Sequence, residues 1–235
     1  MRHRFLALLL LVAVVPLAAC LQKETVTTVY IRNDGSIEWA VLDQDVHSDE
    51  EDAGKRAEEE RTYIDSIQGG IDGLTKGFRA LGGTNVRSMV VRDRAPFATL
   101  RSADFEHLNQ VWERALKSCQ LPHRLELTTD GLVTTWTMVI QVDLESLESK
   151  SPNDCDSEAI EAVLSDSDHI RFVLESGKFL SATGFKMVSS DTAELEEVDS
   201  DTIEKNGGLL TFSLTWERGK FHSAQVDPDI TLWHK

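Results

Sequence analysis

Two β-rich runs, TVTTVYIR (25–32) and SIEWAVLD (36–43), meet at Asn33-Asp34-Gly35. Asp-Gly between strand-like segments is a strong hairpin signal, because both central residues of the tight turn need positive φ. In the second run Ile37, Trp39 and Val41 alternate with Ser36, Glu38 and Ala40, so one face is apolar and buried. The same pattern returns downstream. RLELTT (124–129) leads to Asp130-Gly131 and then to LVTTWTMVIQVDL (132–144), where Trp136, Met138, Ile140, Val142 and Leu144 share a face.

Acidic, helix-like sequence follows each hairpin, from 49 onward and over 157–164. These shared features admit a duplicated ββα unit with halves 26–119 and 120–235. Asp-Gly hairpins are also common enough to recur by chance.

Ser48-x-x-Glu51 has the form of a capping box opening a helix. Ile64, Ile67, Ile71, Leu74, Phe78 and Leu81 then form a narrow apolar stripe, with Gly69, Gly73 and Gly77 spaced four apart. Such glycines fit either close packing on a sheet or a break at Gly69-Gly70. NVRSMVVR (85–92) reads as a strand, followed by a loop at Pro96. Ser102 or Asp104 then caps a second helix carrying Phe105, Leu108, Val111, Trp112, Ala115 and Leu116 on one face and ending near Cys119.

SKSPNDCDS (149–157) has the composition of a loop. Beyond 169, IRFVLE, FLSATGFKMVSS, TAELEEV and LLTFSLTWE are separated by turn residues and predict an antiparallel meander. Strands and helices do not alternate regularly, so a doubly wound parallel sheet is not expected. The expectation is an α+β domain over 26–235: a large antiparallel sheet with two longer helices packed on one face.

The N-terminus carries an address. Arg2 and Arg4 precede an unbroken apolar run, Phe5–Val15, closed by Pro16. This is a secretory signal peptide, too short for a membrane-spanning helix. It ends in Leu17-Ala18-Ala19-Cys20. Over residues 1–20 the chain resembles the bacterial lipoproteins, whose lipobox reads Leu, two small residues, then Cys. The resemblance implies cleavage of residues 1–19, lipidation of Cys20 and attachment to the membrane through that lipid anchor, with palmitate among the acyl chains. Leu21 stands where an Asp would imply inner-membrane retention, so the resemblance points to the outer membrane, facing the periplasm. Residues 20–25 then form the lipidated Cys and a short tether.

Lipidation also resolves the cysteine count. Of three Cys, Cys20 is consumed, leaving Cys119 and Cys155 as an even pair in an oxidising compartment. A disulfide between them closes a loop whose constraint contributes up to about 4 kcal/mol.

The full chain carries 24 basic and 40 acidic side chains, a net charge of −16, over 235 residues. Nucleic acid is excluded as a partner, since a phosphate backbone needs a basic face. The apolar fraction of 41% suffices for a packed core.

No nucleophile elbow, zinc-protease helix, phosphate loop or dinucleotide fingerprint occurs, so no catalytic residue, metal or cofactor is assigned. The densest polar cluster is Asp43, Asp45, His47, Asp49, Glu50, Glu51 and Asp52. It lacks the Gly and Glu of a calcium loop at the sixth and twelfth positions, where Ser48 and Gly54 stand. Capping of a helix N-terminus is the simpler role.

Trp39, Trp136 and Trp216 lie in strand patterns and are expected in the core, where a pocket between sheet and helices would accept a hydrophobic ligand. The leading expectation is a non-enzymatic, membrane-anchored module binding a hydrophobic ligand or an envelope protein. A structural subunit of an envelope complex is the second reading, and a hydrolase using Asp45 with His47 the third.

Overall fold

The structure is a computed structural model and describes residues 21–118, 120–141, 170–196 and 205–219. Its elements run β1 (Leu21–Ile31), β2 (Ile37–Ser48), α1 (Ala53–Gln68), α2 (Gly73–Ala80), β3 (Thr84–Arg92), β4 (Phe97–Phe105), α3 (Leu108–Ser118), β5 (His123–Asp130) and β6 (Val133–Gln141). They continue with β7 (Ile170–Leu174), β8 (Lys178–Thr183), β9 (Phe185–Met187), β10 (Thr192–Leu195) and β11 (Leu209–Glu217). The α+β class holds.

The strands divide into two sheets. One has seven strands in the order β3-β4-β2-β1-β7-β10-β9, the other four in the order β5-β6-β11-β8. Every pairing is antiparallel except β1 with β7. The expected C-terminal meander is instead shared out, with β7, β9 and β10 in the larger sheet and β8 and β11 in the smaller. Gly177 (φ +103) and Gly184 (φ +73) make the two changes of sheet around β8, conformations that glycine adopts without steric cost.

Register explains where the core lies. Ala103, Trp39, Val29, Phe172 and Ala193 stand side by side across β4, β2, β1, β7 and β10, and each is at most 1% exposed. Against this face pack Leu74 and Phe78 of α2, Val111, Trp112 and Ala115 of α3, and Trp136 and Leu214 of the smaller sheet. Ring contacts run from Trp39 to Trp112 (5.9 Å), on to Trp136 (6.5 Å), then to Phe172 (6.4 Å) and Phe185 (6.3 Å). The space between the layers is therefore filled by aromatic side chains, each of which buries 150–250 Å² in a typical core.

Several local expectations are corrected. β1 begins at Leu21, so residues 21–25 are strand paired with β2 rather than tether. The helix begins at Ala53, not near Ser48. Asp52 is its N-cap, accepting from Gly54 N (2.9 Å) and Lys55 N (3.0 Å), while Ser48 remains in β2, paired with Leu21.

Of the two readings of the glycine-spaced helix, the break is the one realised. Gly69 caps α1, Gly70 takes φ +59, and Asp72 opens α2 by accepting from Thr75 N. Ile71 falls in this link and is 60% exposed rather than part of the stripe.

The segment read as a loop after Pro96 is β4, which forms a hairpin with β3 and continues through Phe105. α3 therefore starts at Leu108, and neither Ser102 nor Asp104 caps it. Its expected apolar face, Leu108, Val111, Trp112, Ala115 and Leu116, is buried.

Candidate functional site

The core changes character along the sheet. At the hairpin end the facing residues are Phe105, Ile37, Ile31 and Leu174; one pair of residues further comes the Trp39 row. The next row is Arg101, Val41 and Thr27, and the one after it Thr99, Asp43 and Thr25. Strand periodicity keeps all of them on one face. The buried face thus runs from aliphatic through aromatic to ionic, and its ionic end lies toward Leu21, where β1 begins.

Asp43 is the centre of that end and is fully buried. Its Oδ1 accepts from Thr25 Oγ1 (2.8 Å). Its Oδ2 accepts from the Tyr63 hydroxyl of α1 (2.5 Å) and from Arg101 Nη2, with Lys23 Nζ at 3.5 Å. Tyr63 also reaches Thr99 Oγ1 (3.1 Å), and Arg101 Nη1 lies 3.8 Å from Asp72 Oδ1 at the start of α2. One carboxylate thereby joins β1, β2, β4 and α1, and through Arg101 it reaches α2.

Burial acts to raise the Asp43 pKa, but Arg101, then Lys23, and the hydrogen bonds of Tyr63 and Thr25 outweigh it and hold the carboxyl below its ordinary value. Burial pushes the Tyr63 phenol well above its ordinary value; Arg101 opposes the rise, while Asp43 adds to it. At neutral pH the set is one carboxylate, one guanidinium and a neutral phenol that donates. Asp43 accepts at both oxygens, which suits a structural clasp. A buried pair of this kind is costly to break on one side.

The acidic cluster of 43–52 is dispersed by the fold. Asp43 points inward. Asp45 sits at a bulge with φ +49 and meets Arg92 at 3.3 Å on the surface. His47 is exposed and lies against the Asp45 carbonyl (Nδ1 to O, 2.6 Å). Asp45 and His47 therefore form no buried acid–base pair, and among the described residues no group of three or more His, Cys, Asp or Glu side chains is placed to hold a metal. Cys20, Cys119 and Cys155 lie outside the described residues, as do the loop 149–157 and the segment 157–164.

Tyr63, Thr99 and Arg101 were not singled out from sequence. One signal for the site was present, since Asp43 continues the inward alternation Ile37, Trp39, Val41.

A second charged group lies on the opposite face of the larger sheet. Arg32 reaches Asp104 (2.7 Å) and Glu38 (3.0 Å), with Arg87 3.7 Å from Glu38. Partly solvated pairs of this kind contribute little.

No family model and no curated protein matches the chain. Among solved structures it is similar to the NMR structure of the folded domain of the Mycobacterium tuberculosis protein LppM. The two share 12% identity over 88% of this chain and 92% of that one, with a TM-score of 0.37. We transfer neither a site nor an activity across so loose a likeness.

Proposed function

We propose that the mature chain is a non-enzymatic module of a bacterial envelope, lipid-anchored through Cys20 in the outer membrane and facing the periplasm. The observation that carries this reading is the junction of lipobox and fold. β1 starts at Leu21, the residue after Cys20, and lies between β2 and β7 in the larger sheet. A lipid on Cys20 would leave no tether, so the ionic end of the sheet would face the bilayer closely. Several acyl chains anchor far better than one.

Of the two occupants considered, an envelope protein is favoured over a hydrophobic ligand. Aromatic rings fill the space between the layers, and a ligand there would have to part them. By contrast β3 pairs only with β4 among the described residues and exposes Met89 and Val91, and an unpaired strand edge of that kind accepts a partner strand.

The test of anchoring is labelled palmitate in a bacterial host. Wild type takes up label and Cys20→Ser does not; label persisting in Cys20→Ser overturns the reading. Native mass spectrometry of exported Cys20→Ser, purified without detergent, separates the occupants. A clean monomer mass supports a protein partner, and a co-purifying small molecule restores the ligand.

A further inference from the structure

The three helices are held to the sheet by different means. α2 buries Leu74 and Phe78, and α3 buries Leu108, Val111 and Trp112, all within the contiguous core. α1 has 16 residues and buries Ile67 alone. Ile67 and the neighbouring strand's Val46 are both 0% exposed, yet among the described residues they stand outside that contiguous core.

What ties α1 down is mostly polar. In its first half, the Ser48 backbone N–H donates to Glu60 Oε1 (3.2 Å) and the Ser48 hydroxyl to Glu59. Further on, the Tyr63 hydroxyl donates to Asp43 (2.5 Å) and meets Thr99 Oγ1 (3.1 Å). Near the end, the Ile67 carbonyl accepts from Ser88 Oγ (2.6 Å). Helices in proteins draw most of their stability from packing an apolar face, and hydrogen bonds made in competition with water replace that poorly. Both ends of α1 can turn. Residues 49–52 belong to no helix or strand. At the other end Gly70 takes φ +59, and its carbonyl is held from the α2 side by Arg79 Nη1 (2.8 Å). Rotation there moves α1 and leaves α2 docked.

We propose that α1 is a hinged strap: it leaves the sheet as a unit about Gly69-Gly70, while both sheets, α2 and α3 stay folded, and so bares Asp43 and Thr99 at the end where β1 begins. Arg101 stays beside Asp43 in the open form, since both belong to the larger sheet. Tyr63, carried off with the helix, is the latch. Cooperative local opening is a property of elements with few buried apolar contacts. The strap uses neither the lipid anchor nor a partner, so it stands or falls apart from the envelope reading.

Native-state hydrogen exchange by NMR tests it, on the full mature chain carrying Cys20→Ser. The amides of residues 60–67 exchange through one shared opening, about 100-fold or more faster than those of β1 and β2. Two variants separate that opening from global unfolding. Phe172 packs on Trp136 and Phe185 in the contiguous core, so Phe172→Ala weakens the closed and the open form alike. It speeds exchange in β1 and β2 by about 100-fold or more and leaves α1 unchanged. Tyr63→Phe removes hydroxyl bonds that only the closed form makes, and speeds exchange in α1 by about 10- to 100-fold.

Should Phe172→Ala fail to fold, Phe172→Leu gives the same contrast at smaller amplitude. Three results overturn the proposal. If the Phe172 variant speeds α1 as much as the sheet, the helix leaves only when the whole molecule unfolds. If the rates rise residue by residue toward Ala53, the helix frays and does not open as a unit. If Tyr63→Phe leaves exchange in α1 unchanged, Tyr63 is no latch.

Discussion

Asp43→Asn keeps the shape of the side chain and removes one buried charge. Arg101, whose side chain is 3% exposed, then faces a neutral amide at its principal contact and keeps only Asp72 at 3.8 Å. Neutralising one member of a buried pair costs about 3–5 kcal/mol. The amide oxygen keeps the Tyr63 contact while the amide NH2 donates to Thr25 Oγ1, and Asp72 compensates part of the guanidinium, so the lower end applies, about 3 kcal/mol. For a domain of this size that corresponds to a fall in Tm of roughly 6–12 °C.

The pH dependence has a definite sign. In the fold the Asp43 carboxyl lies below its ordinary value, whereas unfolded it titrates near its reference of about 3.9. Its stabilisation is complete above the unfolded value and is lost as pH falls through the folded one. Urea unfolding from pH 7 down to acid therefore gives a gap between wild type and Asp43→Asn that is flat to about pH 5 and narrows in stronger acid. Asp43→Asn with Arg101→Met, which removes both charges, recovers much of the loss. A single variant within about 1 kcal/mol of wild type at pH 7, or a gap that widens in acid, refutes the clasp.

Phe172→Ala removes a fully buried ring that touches Trp136 and Phe185, and costs about 3–5 kcal/mol by urea unfolding. Gly177→Ala places a methyl 2.0 Å from the Glu217 carbonyl oxygen at φ +103, and loses about 2–5 kcal/mol through backbone strain and displacement of β11. Gly131→Ala, at φ +59 with nothing within 4 Å, loses only the backbone share, about 1–2 kcal/mol, in the same denaturant titration. Cys119 and Cys155 form the expected disulfide if neither titrates as a free thiol in denatured, exported protein; two free thiols remove it.

The legible parts of the fold were those whose signal is local. The turns at Gly35 and Gly131 and the alternation beside them mark β1, β2, β5 and β6 directly, and α3 shows its buried face at helical spacing. β4 was illegible because its inward positions include Thr99 and Arg101, so the apolar alternation expected of a half-buried strand is broken where the strand carries the ionic end of the core. The start of α1 was misplaced for a different reason. Pairing of Leu21 with Ser48 draws the strand through the Ser48 box and leaves Asp52 as the cap, a tertiary contact overriding a sound local motif.

Alternation shows that a residue turns inward, not which sheet it joins, and so the division into two sheets went unread. The candidate site divides the same way. Asp43 sat in a visible pattern, while its partners Tyr63 and Arg101 come from elements distant in sequence, which the fold alone brings together.

The parallel pairing of β1 with β7 sets the order in which the molecule can assemble. Residues 27–31 join residues 170–174, across more than half of the chain, and among the described residues β10 and β9 enter the larger sheet through β7. Closing so long a loop is slow compared with forming the local hairpins. A chain crossing a membrane N-terminus first exposes β1 early, with one edge covered by β2 and the other bare until the last third arrives. Export on the proposed route would include an interval in which an unpaired central strand needs shielding from other chains, and a holding chaperone on the far side of the membrane would act on that edge.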